Sequence, residues 1–233
     1  IGYVKDQAGN EGYCTKSIRV GAEKPKFDFR YGYQIYPNGE TKTLSGITEN
    51  GSKLTTTSTN PVITIKNLNK YTTVDRVVIT LNSGIPTTTN ATLTYSGAAS
   101  GSVSAPMAAG TKQIVFTIPQ GTYSQMAIKL GTLSGKTYDI SKIELYSLDG
   151  GVFTNKDVSI KIDPIDTGVR TVGYSYDAGA SFKTSDTNTF VRNTTSQLMT
   201  KNSGNLVSDP VEYAIVGIDK NNPTISIKVT KTG

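Results

Sequence analysis

The stretch RVVITLNSGIPTTTNATLTYSG, residues 76–97, decides the fold. Val77, Ile79 and Leu81 occupy alternate positions of its first run, and Ala91, Leu93 and Tyr95 do so in its second. Successive side chains of a β-strand point to opposite faces, so a period of two gives each run one apolar face. The intervening NSGIPTTTN is dominated by Gly, Pro, Asn, Ser and Thr, which supply turns. Two half-buried strands and a loop follow from these residues alone.

The same alternation recurs in VITIKNL (62–68), KQIVFTI (112–118), QMAIKL (125–130) and ISKIELYSL (140–148). A second set follows LDGGV at 148–152: VSIKI (158–162), VRTVGYSY (169–176), SQLMT (196–200) and PVEYAIVGI (210–218). Short alternating runs separated by turn clusters are the spacing of β-sandwiches. Helical periodicity is nearly absent, and the chain is rich in Thr, Ser, Asn and Gly, which are poor helix formers. The sequence predicts an all-β protein made of β-sandwich modules, with a boundary at the Gly150–Gly151 pair, read as a turn or short linker.

Composition removes several function classes. The chain has 233 residues, 24 Lys plus Arg against 18 Asp plus Glu, one Cys and no His. The positive excess is spread along the chain, and no basic cluster is interleaved with aromatics, which argues against nucleic acid as a partner. Cys14 alone forms no internal disulfide, and Cys/His zinc patterns are excluded. Cys14 reads as a small apolar strand residue. No run approaches the length of a membrane-spanning helix, so no membrane insertion is expected of this segment, and IGYVKDQ lacks the layout of a secretion signal. A thiol-poor, Thr- and Asn-rich β-protein suits an extracellular or cell-surface location.

The chain also repeats itself. YVKDQAGNEGYCTKSIRV (3–20) and LMTKNSGNLVSDPVEYAI (198–215) share an apolar run, a small-Gly-Asn turn and a second alternating run, and each reads as a β-hairpin. A charged link to a proline follows each, GAEKP at 21–25 and GIDKNNP at 217–223.

These segments carry a resemblance. FTNKDVSIKIDPIDTGVRTVGYSYDAGASF (153–182) with MTKNSGNLVSDPVEYAIVGIDKNNPT (199–224) resembles the bacterial immunoglobulin-like repeats of modular surface and secreted proteins. The succession RVVITLNSG, ATLTYSG, KQIVFTIPQG and MAIKLGTLSGKTYDISKIELYS is similar to jelly-roll modules of the carbohydrate-binding type. The resemblance implies four parts: residues 1–24, the last hairpin of a preceding immunoglobulin-like repeat; 25–148, a jelly roll; 149–222, an immunoglobulin-like sandwich; and 223–233, a linker or the start of a next module.

Candidate chemistry is sparse. Without His the common general base is missing, and Asp28, Glu40, Glu49 and Asp75 lie scattered among turns, where solvation is their expected role. No enzymatic activity and no cofactor are expected. Asp163, Asp166, Asp177 and Asp219 raise structural calcium, because carboxylates at turns are what hard cations take, although no regular calcium-loop spacing is present. Lys and Asn near strand ends raise the intramolecular Lys–Asn cross-links of some surface adhesins, which also need a buried acid. RYGYQIYPNGE (30–40) places Tyr31, Tyr33 and Tyr36 close together, with Asn38 and Gly39 as the following turn. Tyrosine combines a flat apolar face with a polar tip, so these three are the candidate contacts to a sugar or peptide. The competing assignment is that the rings cover a sandwich edge or pack against the neighbouring module.

The expectation is a non-catalytic extracellular module of a bacterial surface or secreted protein that binds a glycan or host-surface protein and contacts neighbouring modules. The alternatives are a structural spacer, a strand-exchanging filament or surface-layer subunit, in which residues 1–20 or ISIKVTKTG at 225–233 complete a neighbour's sheet, or the ancillary region of a secreted glycoside hydrolase or protease.

Overall fold

A computed structural model describes residues 2–14, 23–37 and 40–222. The turn expected at Asn38 and Gly39 and the segment 223–233 lie outside the described residues. Among the described residues there is no helix and therefore none long and apolar enough to cross a membrane, while every paired strand is antiparallel to its neighbours. The protein is all-β.

The strands in chain order are β1 (Gly2–Lys5), β2 (Glu11–Cys14), β3 (Lys26–Tyr36), β4 (Thr41–Ser45), β5 (Ile47–Asn50), β6 (Lys53–Thr56), β7 (Val62–Lys66), β8 (Val74–Leu81) and β9 (Thr89–Gly97). They continue with β10 (Gly101–Met107), β11 (Gln113–Gly121), β12 (Tyr123–Lys129), β13 (Thr137–Ser147), β14 (Val158–Ile165), β15 (Thr171–Ser175), β16 (Thr187–Phe190), β17 (Thr194–Asn202) and β18 (Val211–Ile215). The expected alternating runs are all strands. The quoted 76–97 stretch supplies most of β8 and β9, on opposite sheets of the sandwich.

One sheet has the order β10-β9-β12-β7-β4. The larger sheet runs β11-β8-β13-β3-β14-β16, with the β5–β6 hairpin attached to the start of β13. A three-stranded layer β15-β17-β18 completes the C-terminal part, and β1–β2 stands as its own two-stranded sheet. Alternation decides the core: Ile63, Ile65, Leu93, Met126 and Ile128 of the first sheet and Val77, Ile79, Phe116, Ile143 and Leu145 of the second are all buried.

β3 joins the two halves. It pairs with β13 on one side and with β14 on the other, so the ladder runs on across the boundary expected at 148/149. Directly opposed residues form one row, Phe116–Val77–Leu145–Tyr33–Val158–Phe190, across six strands. Its first five members are buried and Phe190 packs against the same core. The adjacent row, Thr117–Arg76–Tyr146–Gly32–Ser159–Thr189, lies on the opposite face.

The Asp149–Gly151 stretch is a locked crossing. Asp149 O accepts from Tyr33 Oη at 2.6 Å, its Oδ2 from Thr72 Oγ1 at 2.8 Å and its Oδ1 from Gly151 N at 2.8 Å. A Cβ at Gly150 would collide with Ala214 O and the Tyr31 ring. Gly150 answers crowding, and Gly151 the turn that Asp149 caps.

The internal repeat is present at the level of hydrogen bonds, one residue away from the alignment of AGN with SGN. Asp6 Oδ1 accepts from Ala8 N and Asn10 N at 2.9 Å, and Asn202 Oδ1 accepts from Gly204 N and Leu206 N at 3.0 Å. Gly9 N donates to Asp6 O, as Asn205 N does to Asn202 O. The residue with positive φ is Gly9 in the first turn and Asn205 in the second, so Gly204 is not the equivalent of Gly9. In the first hairpin Val4 and Tyr13 are exposed.

Gly32 is the tightest point of the shared strand. A Cβ there would collide with Ser159 Oγ and press on the Tyr146 ring. Gly32→Ala is expected to lower stability by about 1–3 kcal/mol, the usual cost of overpacking, and urea unfolding of the two proteins measures it; equal midpoints would contradict this packing.

Candidate functional site

The three tyrosines chosen from the sequence are interior groups. Tyr31, Tyr33 and Tyr36 are 6%, 1% and 1% exposed. Tyr33 packs on Tyr71 with ring centroids 5.5 Å apart, and Tyr31 meets Phe29 edge-on at 5.4 Å. Their hydroxyls are all engaged: Tyr31 Oη accepts from Ala214 N at 3.2 Å, Tyr33 donates to Asp149 O, and Tyr36 donates to Glu49 Oε1 at 2.9 Å. Burial pushes all three phenols above their ordinary range. No ring offers a face for stacking on a ligand. Tyr31 and Tyr33 fill the seam between the halves, because β3 is flanked by strands on both sides along residues 31–33.

The carboxylates divide. Glu40 accepts from Tyr71 Oη at 2.7 Å and Lys70 Nζ at 2.8 Å, and Glu49 is bound by Tyr36 and Lys42. The Lys42 bond holds the Glu49 carboxyl below its usual range. Asp28 and Asp75 line one groove, where Asp75 is bound by Arg30 Nε at 2.7 Å.

The calcium candidates do not converge. Asp163 accepts from Arg30 and Arg76 at 2.7 and 3.1 Å. Asp166 Oδ1 caps Gly168 N, Asp219 Oδ1 caps Asn221 N, and Asp177 takes bonds from Ser175 and Ser181. Among the described residues no group of three or more His, Cys, Asp or Glu is placed to hold a metal.

What sequence reasoning missed is the outer face of the large sheet. Arg76, Glu144, Tyr146, Ser159, Lys161 and Asp163 come from three strands, β8, β13 and β14, and share that face with Arg30 of β3. Glu144 is 4% exposed and accepts from Lys142 Nζ at 2.8 Å, Ser159 Oγ at 3.0 Å and Tyr146 Oη at 3.3 Å. Arg30 bridges Asp75 and Asp163, and Lys161 binds Asp186 at 2.6 Å. A groove of about 400 Å³ lies over this network, lined by Gln113, Lys142, Lys161 and Asp186 together with Val78 and Val115. It offers donors and acceptors beside apolar side chains, the make-up of a site for a polar small molecule. The period-two placement of Lys142, Glu144 and Tyr146 was the available signal; their partners on β14 were not.

A second depression of about 590 Å³ lies on the five-stranded sheet, lined by Thr89, Asn90, Thr92, Ser104, Lys129 and Thr132. It is uncharged apart from Lys129. No family model matches the chain, and no curated protein matches it either.

Asp177 has a consequence for pH. Its bonds from Ser181 and Ser175 hold the carboxyl at about 2, below 3.8. A depressed carboxyl stabilises the folded state above the unfolded value and loses that contribution as pH falls through the folded one. Wild type is expected to exceed Asp177→Asn in urea midpoint at neutral pH, with the gap closing between about pH 4 and pH 2; a gap unchanged down to pH 2 would contradict the assignment.

Proposed function

We propose that the chain is a non-catalytic module of a bacterial surface or secreted protein, acting as a stiff spacer that presents its surfaces in a fixed relative orientation. The observation that carries this reading is the sharing of β3: one strand belongs to both halves, so they cannot hinge about residues 148–152 without breaking the β3–β14 ladder. The locked crossing at Asp149 and the Arg30–Asp163 and Glu144–Ser159 bonds reinforce the joint from both faces. The resemblance of residues 25–148 to jelly-roll modules and of 149–222 to bacterial immunoglobulin-like repeats belongs to the same proposal, as does an extracellular or cell-surface location.

A stiff joint has a cooperative signature. The chain is expected to unfold in one transition by calorimetry and by tyrosine fluorescence, since neither half keeps its sheet without the other. Tyr31→Ala is expected to cost about 3–5 kcal/mol, as for other large buried rings. Tyr31→Phe, which only leaves Ala214 N unpaired, is expected to cost about 1 kcal/mol. Two separated transitions, with Tyr31→Ala moving only one, would sink the spacer reading.

Recognition of a glycan or host-surface molecule is the second reading, favoured by the polar groove over Glu144. A glycan-array screen of the whole chain tests it: binding that is lost in Gln113→Ala and kept in Thr92→Ala locates the ligand at this groove, and a blank array removes the reading.

A further inference from the structure

β3 and β14 run on together past the point where β13 leaves. Residues 26–30 of β3 pair with 161–165 of β14, whereas the ladder with β13 ends at Tyr31 opposite Ser147. The edge of β3 from Lys26 to Arg30 therefore has no strand on its β13 side among the described residues. A slot of about 460 Å³ lies along this edge, lined by Phe27, Asp28, Phe29, Asp75, Leu148 and Val211, and a further 160 Å³ continues it past Pro25 and Asp209.

The two faces of the open edge differ. Phe27 and Phe29 are partly buried against the core on one face, with exposed Leu148 and Val211 beside them. On the other face Asp28 is exposed and has no hydrogen bond or ion pair among the described residues. An unpaired edge with an apolar row and a charged row on opposite faces is a template for an added strand. Its occupant must alternate apolar and polar residues, with a cation opposite Asp28.

We propose that this notch receives the segment SIKVT, residues 226–230, of a second copy of the chain as an antiparallel strand continuing the line of β13. That direction places Ile227 opposite Phe29, Lys228 opposite Asp28 and Val229 opposite Phe27. Apolar meets apolar on one face, and Lys meets Asp on the other. β3 already accepts this order of residues on its far edge, where VSIKI of β14 (Val158–Ile162) pairs with Phe29–Tyr33. Within one chain the segment would have to double back over β14 and β3 from beyond the Lys220–Asp157 pair, at the other end of β14 from the notch; a second copy needs no such path. Notch and segment are different surfaces, so the contact is head-to-tail and propagates.

Light scattering and sedimentation of the whole chain test this. The mass is expected to rise above the 24.9 kDa of one chain as concentration increases through the micromolar range. Ile227→Pro removes a ladder donor and is expected to leave a monomer. Asp28→Lys and Lys228→Asp are each expected to weaken association about fivefold, the scale of one exposed ion pair, and mixing the two single variants restores it. That rescue cannot come from a misfolded variant. A monomer at every concentration, association indifferent to Ile227→Pro, or charge reversals that the mixture does not repair would each overturn the proposal.

Discussion

The row Phe116–Val77–Leu145–Tyr33–Val158–Phe190 is the contact on which the rest of the structure depends. Each member packs against its neighbours on the same face, and the row crosses from the first half of the chain to the second at Tyr33. A sandwich normally closes its own core with its own two sheets. Here one sheet serves two covering layers, the five-stranded sheet over its β8 side and the β15-β17-β18 layer over its β14 side. The seam between those layers needs a filler long enough to reach both, with a polar tip for the backbone that passes there. Tyr31 and Tyr33 meet that need: their rings are buried and their hydroxyls bond Ala214 N and Asp149 O.

The opposite face follows from the same strand. With bulky rings on one side of β3, the close approach on the other falls to Gly32, where Tyr146 and Ser159 draw together over a residue without a side chain. The Glu144 network is the result, tying β13 to β14 across β3. Such buried polar bonds contribute little net stability, because desolvation offsets most of the attraction. Their effect is on geometry, fixing the register of β14 against β3 where a slip by one residue would turn Val158 and Ile160 outward.

The strands were legible because alternation is written into single runs, and β8, β9, β11, β13 and β14 carry it openly. The placement of the tyrosines was half legible. Their spacing put Tyr31 and Tyr33 on one face, which is right, yet whether that face met ligand or core depended on β14, more than a hundred residues away. Gly32 between two tyrosines was the available hint, since glycine inside a strand marks close approach. Gly150 was half legible for a related reason: the turn at 149–151 is there, and the crowding was not visible. In sequence, crowding and flexibility look alike, and only Ala214 O and the Tyr31 ring, where a Cβ of residue 150 would lie, tell them apart. The hairpin repeat was found through its AGN and SGN letters, while its physical equivalence rests on Asp6 and Asn202, whose side chains build the turns.

The joint between the halves is itself a strand addition: the first strand of the C-terminal part lies along the first strand of the part before it. A modular chain joined in this way gains stiffness in proportion to the length of the ladder. Its cost is that β3 must be long enough to serve neighbours on both sides, and its 11 residues exceed what β13 covers. The overhang at Lys26–Arg30 is thus a by-product of the joint. Proteins commonly blunt such edges with charge, and Asp28 with the Arg30–Asp75 pair does so on one face only. Phe27, Phe29, Leu148 and Val211 leave the other face apolar, so the strand that joins the two halves is also the one whose edge, open among the described residues, suits the alternating, Lys-bearing strand proposed above.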